Sequence, residues 1–370
     1  MAGLNETTSG NRIHIAFFGR RNAGKSTLVN ALTGQEIAIV SDVAGTTTDP
    51  VSKAMEILPL GPCLITDTAG LDDEGPLGEE RVRRSLEVLE KTDVAVWVEA
   101  GSPDDAAGRF RAACAARNIP VLVYRRGDSV EGLKRKIAEI QLADAPRPLI
   151  ADLVQPGDTV VCVCPIDESA PKGRLILPQQ QIVRELLDAG AAALVCQPEM
   201  LENVLRFQPA PRFVITDSQA FGVVSKAVPR EVPLTSFSIV FARAKGDLAV
   251  YCAGAGAMKN LRDGDVVLVA EGCTHHRQCN DIGTVKLPRW VERYAGRRLA
   301  FEFCSGNAFP DDLSRYALVI QCGGCMLTRR AVQARIARCR AAGVPITNYG
   351  IAIAACHGIH VSPTSCMVMR

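Results

Sequence analysis

The stretch Ile13-His14-Ile15-Ala16-Phe17-Phe18-Gly19-Arg20-Arg21-Asn22-Ala23-Gly24-Lys25-Ser26-Thr27 opens the first third of the chain. Its first six residues are mostly apolar and predict a strand, because the run is too short for a secretory core. The Gly-x-x-x-x-Gly-Lys-Ser pattern that follows is typical of a phosphate-binding loop between a strand and a helix. Its backbone N–H groups and the helix dipole attract phosphate oxygens. We therefore expect a nucleotide site formed by Gly19, Asn22, Ala23, Gly24, Lys25, Ser26 and Thr27.

A second segment, Asp67-Thr68-Ala69-Gly70, ends a later predicted strand and supplies the other groups that such a site needs. We expect Lys25 to reach the outer phosphates and the Ser26 hydroxyl to bind Mg²⁺. Asp67 would hold the same ion through water, and the Gly70 N–H would meet the γ-phosphate. These features indicate a nucleotide switch domain in which Lys25, Asp67 and Gly70 carry out the catalytic work.

The order of apolar runs and helical patterns divides the rest of the chain. Residues 12–141 alternate short apolar strands with helices, which is typical of a parallel α/β sheet. A Pro-rich linker precedes a small βαβαβ unit, whose exposed edges favour homodimerisation. A third α/β unit, which resembles a Rossmann fold, follows it. We expect an α/β protein of three domains, at residues 1–145, 146–230 and 231–370.

Composition excludes several classes of protein. The 370 residues carry 42 basic and 40 acidic side chains, and only 5% are aromatic, so neither nucleic acid nor an anionic membrane is an expected partner. The apolar runs are too short to span a bilayer, and the N-terminus lacks a basic secretory region. We expect a cytoplasmic protein whose 14 cysteines are thiols or metal ligands. No repeat with a period of 20–50 residues is found.

Two cysteine-containing segments of the third unit each follow a predicted strand. They are Cys273-Thr274-His275 and Cys322-Gly323-Gly324-Cys325. Because the carboxyl ends of parallel strands share one edge of a sheet, the two segments can converge on one metal centre. Three thiolates and an imidazole suit Zn²⁺, whereas three thiolates with an exchangeable fourth position suit a 4Fe-4S cluster. Chemistry alone leaves both open, together with a buried or redox Cys-x-x-Cys pair.

The nucleotide segments resemble GTPases of the TrmE and Era type. The resemblance implies that the second threonine of Gly45-Thr46-Thr47-Thr48-Asp49 completes the Mg²⁺ shell, so Thr47 is the candidate and Thr46 and Thr48 are the alternatives. It also implies that Asn22 contacts a K⁺ ion that activates hydrolysis. Leu71 stands where Ras-like enzymes have the glutamine that orients water, so slow intrinsic hydrolysis is expected.

Recognition of the base rests on fewer residues. The guanine motif Asn-Lys-x-Asp is replaced by Arg125-Arg126-Gly127-Asp128, which keeps only the aspartate. Asp128 can accept hydrogen bonds from guanine, but Arg125 cannot replace the asparagine that tethers the loop. GTP is the expected nucleotide, and poor base selectivity or no turnover is the alternative.

The phosphate loop and the cysteine segments occur together with Ile215-Thr216-Asp217-Ser218-Gln219-Ala220-Phe221 and Pro233-Leu234-Thr235-Ser236-Phe237-Ser238. In this combination the chain resembles the HydF family of GTPases and scaffolds for FeFe-hydrogenase maturation. The resemblance covers residues 12 to 354 and implies GTPase, dimerisation and cluster-binding domains. It also implies a 4Fe-4S cluster on three cysteines, a diiron precursor made with radical-SAM maturases, and delivery to apo FeFe-hydrogenase. The metal-binding motif of the family falls on Cys273, His275, Cys322 and Cys325.

The group that completes the cluster stays open. His275, His276, an acidic side chain or an exchangeable ligand are candidates, and Cys279 would close the site as a fourth thiolate. Many relatives have a histidine before the Cys-x-x-Cys pair, where this chain has Gln321. The tail after Ala354 departs from the family pattern, and we expect it to be poorly ordered.

The sequence thus predicts a homodimeric GTPase and scaffold that uses GTP, Mg²⁺ and a 4Fe-4S cluster. The rival hypothesis is a zinc-stabilised, non-catalytic assembly module with a vestigial nucleotide-binding domain.

Overall fold

The computed structural model describes residues 9–34, 51–71, 76–100, 105–140, 147–166, 173, 175–208, 210–272, 281–306 and 308–369. The chain divides into two compact units, Met1–Ala145 and Pro146–Arg370. Within the described ranges, no helix has both the length and the apolar composition needed to cross a membrane.

The first unit is built on one sheet. Its described elements are β1 (Ile13–Gly19), α1 (Lys25–Thr33), β2 (Val51–Ile57), β3 (Gly61–Asp67), α2 (Pro76–Val88), β4 (Val94–Glu99), α3 (Asp105–Ala115), β5 (Val121–Arg125) and α4 (Val130–Ala138). The strand order is β2-β3-β1-β4-β5. All pairs are parallel except β2 with β3, which are antiparallel at one edge.

Both faces of this sheet are covered, which explains the nearly continuous apolar sequence of β1. Phe17 belongs to the core on the face that packs against α1 and α4. Phe18 belongs to the opposite core, where its ring centroid lies 4.9 Å from that of Phe110 on α3. Alternate residues of one strand therefore supply two separate cores.

The second unit contains two further sheets. Its described strands are β6 (Thr159–Val163), β7 (Ala192–Cys196), β8 (Phe213–Thr216), β9 (Leu234–Ser236), β10 (Val266–Glu271), β11 (Ala300–Ser305), β12 (Tyr316–Gln321), β13 (Ile346–Asn348), β14 (His360–Val361) and β15 (Val368–Met369). Its described α-helices are α5 (Leu177–Asp188), α6 (Leu201–Phe207), α7 (Phe221–Ala227), α8 (Phe237–Lys245), α9 (Leu248–Ala257), α10 (Leu287–Ala295), α11 (Arg329–Ala341) and α12 (Tyr349–Cys356).

The two larger sheets of this unit are parallel throughout. Their strand orders are β7-β6-β8-β9 and β11-β10-β12-β13, and one continuous apolar core joins them. The first sheet takes its fourth strand from β9, which lies beyond residue 230 and pairs with β8. Strand β7 lies at an edge, where Leu194 and Val195 are partly exposed. This is the kind of edge from which the sequence predicts self-association.

The expectation of a poorly ordered tail after Ala354 is wrong. Helix α12 continues to Cys356, and β14 and β15 then form a short antiparallel pair. The Cys366 side chain is buried, and the Thr235 hydroxyl donates a hydrogen bond to the Cys366 carbonyl. The tail is therefore part of the core of the second unit rather than an appendage.

Candidate nucleotide and metal sites

The phosphate-binding loop lies between the end of β1 and the start of α1, as its sequence predicts. Gly24 precedes the helix with a φ of 90°, which glycine adopts at little cost, and Asn22 has a φ of 57°. At Gly19 the loop approaches β4 so closely that an added Cβ would lie 2.6 Å from the Val98 carbonyl oxygen. The backbone path of this loop therefore requires glycine at its first position.

Lys25 begins α1 and lies against the loop. Its ammonium donates hydrogen bonds to the carbonyl oxygens of Arg20 at 2.7 Å and Gly19 at 3.3 Å. The residue is 7% exposed. A largely buried positive charge is thus held beside the backbone groups that would surround phosphate.

Ser26 and Asp67 meet although they are 41 residues apart in the chain. The Ser26 hydroxyl donates to Asp67 Oδ2 at 2.6 Å. Asp67 is fully buried, and its Oδ1 atom has no hydrogen-bond partner among the described residues. Burial raises the pKa of Asp67, opposed by the Ser26 hydrogen bond and the charge of Lys25. A hydroxyl beside a buried carboxylate with a free oxygen is a donor set that fits Mg²⁺.

The turn after β3 is also hydrogen-bonded to the end of β1, where the phosphate loop begins. The Leu71 N–H donates to the Gly19 carbonyl oxygen at 3.2 Å, and the Thr68 hydroxyl donates to the Phe17 carbonyl oxygen at 2.7 Å. Gly70, between them, is buried. The candidates for the remaining Mg²⁺ ligand, Thr46, Thr47 and Thr48, lie outside the described residues, and Thr27 is exposed on α1.

The loop after β5 differs from a guanine-binding loop in how it is held. Arg125 Nε donates to Glu99 Oε2 at 2.6 Å, so an ion pair with the end of β4 occurs where an asparagine would tether the loop. The Asp128 carboxylate accepts the Arg125 backbone N–H at 2.8 Å, and the Tyr124 hydroxyl donates to the Asp128 carbonyl oxygen. Asp128 is exposed, so its second oxygen can reach a ligand.

The second candidate site lies at the carboxyl edge of the sheet that contains β10 and β12. Cys322 directly follows β12, and its Sγ accepts backbone N–H groups from Gly272 at 3.0 Å and Gly324 at 3.4 Å. Gly272 directly follows β10 and directly precedes Cys273 in the chain. The segment that leads to Cys273 therefore starts in contact with the Cys322 sulfur, although Cys273 itself lies outside the described residues.

Glycine is required where the two segments meet. An added Cβ at Gly272 would lie 2.8 Å from Leu327 Cγ and 3.5 Å from Cys322 Sγ. Gly324 has a φ of 69°, a conformation that few other residues adopt. Gly272 and Gly324 are thus the glycines that allow two backbone N–H groups to approach one sulfur.

Burial raises the pKa of both thiols of the Cys322–Cys325 loop, that of Cys325 to about 11. The backbone N–H groups of Gly324 and Gly272 oppose this shift at Cys322. Lys245, also buried, has its pKa lowered by burial to about 8. Both cysteines would therefore be thiols at neutral pH and would release protons on binding a metal.

The donor chemistry of these residues fits an iron-sulfur cluster or zinc. Half-buried thiols with N–H donors to sulfur are typical of both. Within the described part of the chain, no group of three or more His, Cys, Asp and Glu side chains is arranged to hold a metal. The remaining predicted ligands and alternatives lie outside it, namely Cys273, His275, His276 and Cys279.

Two residues beside this loop were missed by reasoning from the sequence. The Lys245 ammonium donates to three carbonyl oxygens of the Cys322–Leu327 segment, and Asn348 Nδ2 donates to the Cys322 carbonyl oxygen at 3.2 Å. Lys245 ends α8, a helix that is mostly apolar apart from Ser238 and Arg243. A lysine on such a helix was the one signal that could have marked it.

Three family models match successive parts of the chain. A model described as the hydrogen maturase F dimerization domain matches residues 149–246, and one described as the hydrogen maturase F tetramerization domain matches residues 249–362. The chain belongs to the hydrogen maturase F family. A third model, described as a 50S ribosome-binding GTPase, matches residues 14–125, so this family member joins a GTPase domain to the two maturase domains.

Two of the individual relatives each match about a quarter of the chain. The tRNA modification GTPase MnmE of Methylobacterium sp. (strain 4-46) is 42% identical over 104 residues, which cover 26% of this chain and 24% of that protein. GTPase Der of Wolinella succinogenes is 46% identical over 89 residues, or 23% of this chain and 19% of that protein. This chain therefore spans a quarter or less of the length of these relatives. A solved structure of Era from Aquifex aeolicus, bound to GDP and AlF4⁻, is 17% identical and covers 79% of this chain and 92% of its own, with a TM-score of 0.28.

Proposed function

We propose that this maturase F family member is a GTP-hydrolysing scaffold that holds a 4Fe-4S cluster and passes a diiron precursor to apo FeFe-hydrogenase. The contact between the Gly272 N–H and Cys322 Sγ, 3.0 Å long, carries the proposal. It supports a single metal centre built from two distant cysteine segments. The same chain contains a phosphate-binding loop, and this combination favours a scaffold that is controlled by nucleotide.

The nucleotide chemistry follows from the contacts of the first unit. Lys25 would exchange its loop carbonyl partners for the outer phosphates, and Ser26 and Asp67 would hold Mg²⁺, Asp67 through water. Thr47 is the proposed third Mg²⁺ ligand, and Asn22 the proposed contact for K⁺. Asn22 has a left-handed backbone, which turns the loop beside the phosphate site and is compatible with this role.

The cluster would be held by Cys273, Cys322 and Cys325, with His275 as one candidate for the fourth position. When bound, a cluster with three thiolates supplies one iron that can take and release a weak ligand. The N–H groups that meet Cys322 Sγ would stabilise the negative charge of that thiolate. Such a site suits a carrier, because a carrier must release its cargo as well as bind it.

Self-association completes the proposal. Residues 1–145 would be the GTPase domain, residues 146–230 the dimerisation domain, and residues 231–370 the cluster-binding domain of a cytoplasmic homodimer. The family description of 149–246 as a dimerization domain and the exposed β7 edge favour this division of roles. Radical-SAM maturases and apo FeFe-hydrogenase are the proposed partners.

Metal analysis of the anaerobically purified full chain tests the cluster. We expect iron and sulfide, little zinc, and a broad absorption band near ~400 nm. A colourless protein with one equivalent of zinc would instead support the zinc-stabilised assembly module. That alternative is favoured by the Arg125–Glu99 ion pair, because a rebuilt base loop is compatible with a domain that has lost nucleotide turnover.

Nucleotide hydrolysis tests the first unit on the same sample. We expect slow GTP hydrolysis that is faster in K⁺ than in Na⁺ at equal ionic strength and is lost in Lys25→Ala. A Lys134→Ala variant is the matched control, since Lys134 lies on α4 and pairs with Glu131. Equal rates in both salts would remove the role of Asn22, and equal rates with ATP and GTP would remove guanine selectivity.

A further inference from the structure

The two parallel sheets of the second unit are two copies of one arrangement. In each copy the strand order is second-first-third-fourth, so the second strand lies at one edge and pairs with the first. A turn of the same kind begins each first strand. Asp158 Oδ2 accepts the Gln155 N–H at 2.8 Å, and Asp265 Oδ2 accepts the Arg262 N–H at 2.8 Å. We call the copies the first repeat (β6–β9 with α8) and the second repeat (β10–β13 with α12).

The ends of the repeats also correspond. The first ends with Pro233-Leu234-Thr235-Ser236-Phe237-Ser238-Ile239 and the second with Pro345-Ile346-Thr347-Asn348-Tyr349-Gly350-Ile351. In each, the proline carbonyl accepts an N–H from the third strand, at 2.8 Å from Val214 and 2.9 Å from Val319. Ser236 and Asn348 each cap the helix that follows. Ser238 therefore corresponds to Gly350.

Corresponding residues of the two repeats contact each other. The Gly350 N–H donates to Ser238 Oγ at 3.2 Å, and a Cβ at position 350 would lie 2.9 Å from that of Ser238. Equivalent positions meet in this way at a twofold axis. The repeats are thus related by an approximate twofold axis that passes between the starts of α8 and α12.

Because of this symmetry, the carboxyl end of each of the two helices, α8 and α12, lies against the opposite repeat. His357, just after the end of α12, lies against the start of α7, the helix that follows β8 in the first repeat: a Cβ at Gly222 would be 3.2 Å from the His357 ring. Lys245, the corresponding residue at the end of α8, lies against the loop of the second repeat that follows β12. That loop contains Cys322 and Cys325.

Lys245 holds this loop through its backbone. Its ammonium donates to the carbonyl oxygens of Gly324 at 3.1 Å, Cys325 at 3.2 Å and Leu327 at 2.7 Å. The residue is 7% exposed, and its own carbonyl oxygen accepts the Gln333 amide at 3.0 Å. Hydrogen bonds from a buried charged donor are among the stronger contacts in a protein, so the loop conformation depends on this ammonium.

We propose that Lys245, contributed by the first repeat, is the positioning residue of the Cys322–Cys325 loop and keeps both sulfurs in the arrangement that binds metal. The proposal rests on the proposed cluster function for its biological role, but not for its test. It makes the first repeat, whose α8 lies in the part matched by the dimerization-domain model, a structural part of the proposed metal site. The thiolate loop would thus not keep its conformation without α8.

Thiol alkylation of the metal-free full chain tests the proposal. In Lys245→Met the loss of the charged hydrogen bonds should raise the iodoacetamide labelling rates of Cys322 and Cys325 by roughly tenfold or more. Peptide mass spectrometry separates these sites from Cys339, a buried thiol on α11, whose rate should stay within about twofold of the wild type. Lys259→Met, at an exposed lysine of the same unit, is the matched control and should leave all rates unchanged.

Three outcomes would overturn the positioning role. They are unchanged rates at Cys322 and Cys325, an equal rise at Cys339, or the same rise in Lys259→Met. If Lys245→Met does not fold, Lys245→Gln replaces it, because glutamine keeps an N–H donor but loses the charge. The labelling rates of Cys322 and Cys325 relative to that of Cys339 then decide the question in the same way. Iron uptake by the wild type is measured separately, so failure to bind iron would refute the proposed function while leaving the labelling result to decide the role of Lys245.

Discussion

Substitution of Gly254 by alanine should destabilise the second unit markedly, because α9 packs there directly on the backbone of β13. A Cβ at position 254 would lie 2.0 Å from the Ile346 carbonyl oxygen and 3.0 Å from the Thr347 nitrogen. Ordinary contact begins near 3.4 Å, so the helix must retreat from the strand by more than 1 Å. That movement breaks the buried hydrogen bond from the Thr347 hydroxyl to the Tyr251 carbonyl oxygen, 2.8 Å long.

The size of the destabilisation follows from two unfavourable effects and one favourable effect. Overpacking costs about 1–3 kcal/mol, and the lost buried hydrogen bond costs about 1 kcal/mol more. The higher helix propensity of alanine returns about 1 kcal/mol. We expect Gly254→Ala to lower the free energy of unfolding by about 2 kcal/mol. Gly256→Ala, on the same helix but with no heavy atom within 4 Å of its Cβ, should raise it by about 0.5–1 kcal/mol.

Urea unfolding followed by tryptophan fluorescence measures both variants in the full chain. Of the two tryptophans, Trp97 lies in the first unit and Trp290 in the second, so a Trp97→Phe background makes the signal specific for the second unit. Equal midpoints for Gly254→Ala and Gly256→Ala would refute the close approach of α9 to β13.

Two predictions concern the first unit. Burial lowers the pKa of His14 from 6.5 to about 4, so the unfolded chain binds the proton first and the unit should lose about 3 kcal/mol as the pH falls from about 6.5 to about 4. His14→Phe should abolish that slope in Trp97 fluorescence melts, and an unchanged slope would exclude His14 as its source. Burial raises the folded pKa of Asp67, so the stability linked to its protonated form is lost as the pH rises through that value. Asp67→Asn should therefore be no less stable than the wild type at neutral pH without Mg²⁺, yet bind Mg²⁺ and nucleotide roughly tenfold or more weakly in calorimetry; undiminished affinity would contradict the Mg²⁺ assignment.

Motifs with a fixed chemical purpose were readable from the sequence. The phosphate loop predicts where β1 ends and α1 begins, because the chemistry of phosphate binding specifies both the glycines and the helix start. The alternation of strands and helices predicts the parallel α/β sheets. The family was expected from the resemblance of the motif segments, not from this alternation. The contact between Gly272 and Cys322 follows from the shared carboxyl edge of β10 and β12.

Other features could not be read from the sequence, for physical reasons. Helices α9 and α12 consist of apolar and small residues on every side, so they lack the periodicity that marks an amphipathic helix. The two repeats differ in most residues and agree in backbone hydrogen bonds, which appear only once strands are paired. For the same reason Lys245 gave no indication that it would meet the Cys322–Cys325 loop.

Iron content of single cysteine variants, measured after anaerobic reconstitution, bears most directly on the two-segment sulfur site. Cys273→Ser, Cys322→Ser and Cys325→Ser should each lose most of the bound iron and the visible absorption, whereas Cys279→Ser should retain both. Full iron in Cys273→Ser, or its loss in Cys279→Ser, would contradict a centre formed by Cys273 with the Cys322–Cys325 loop.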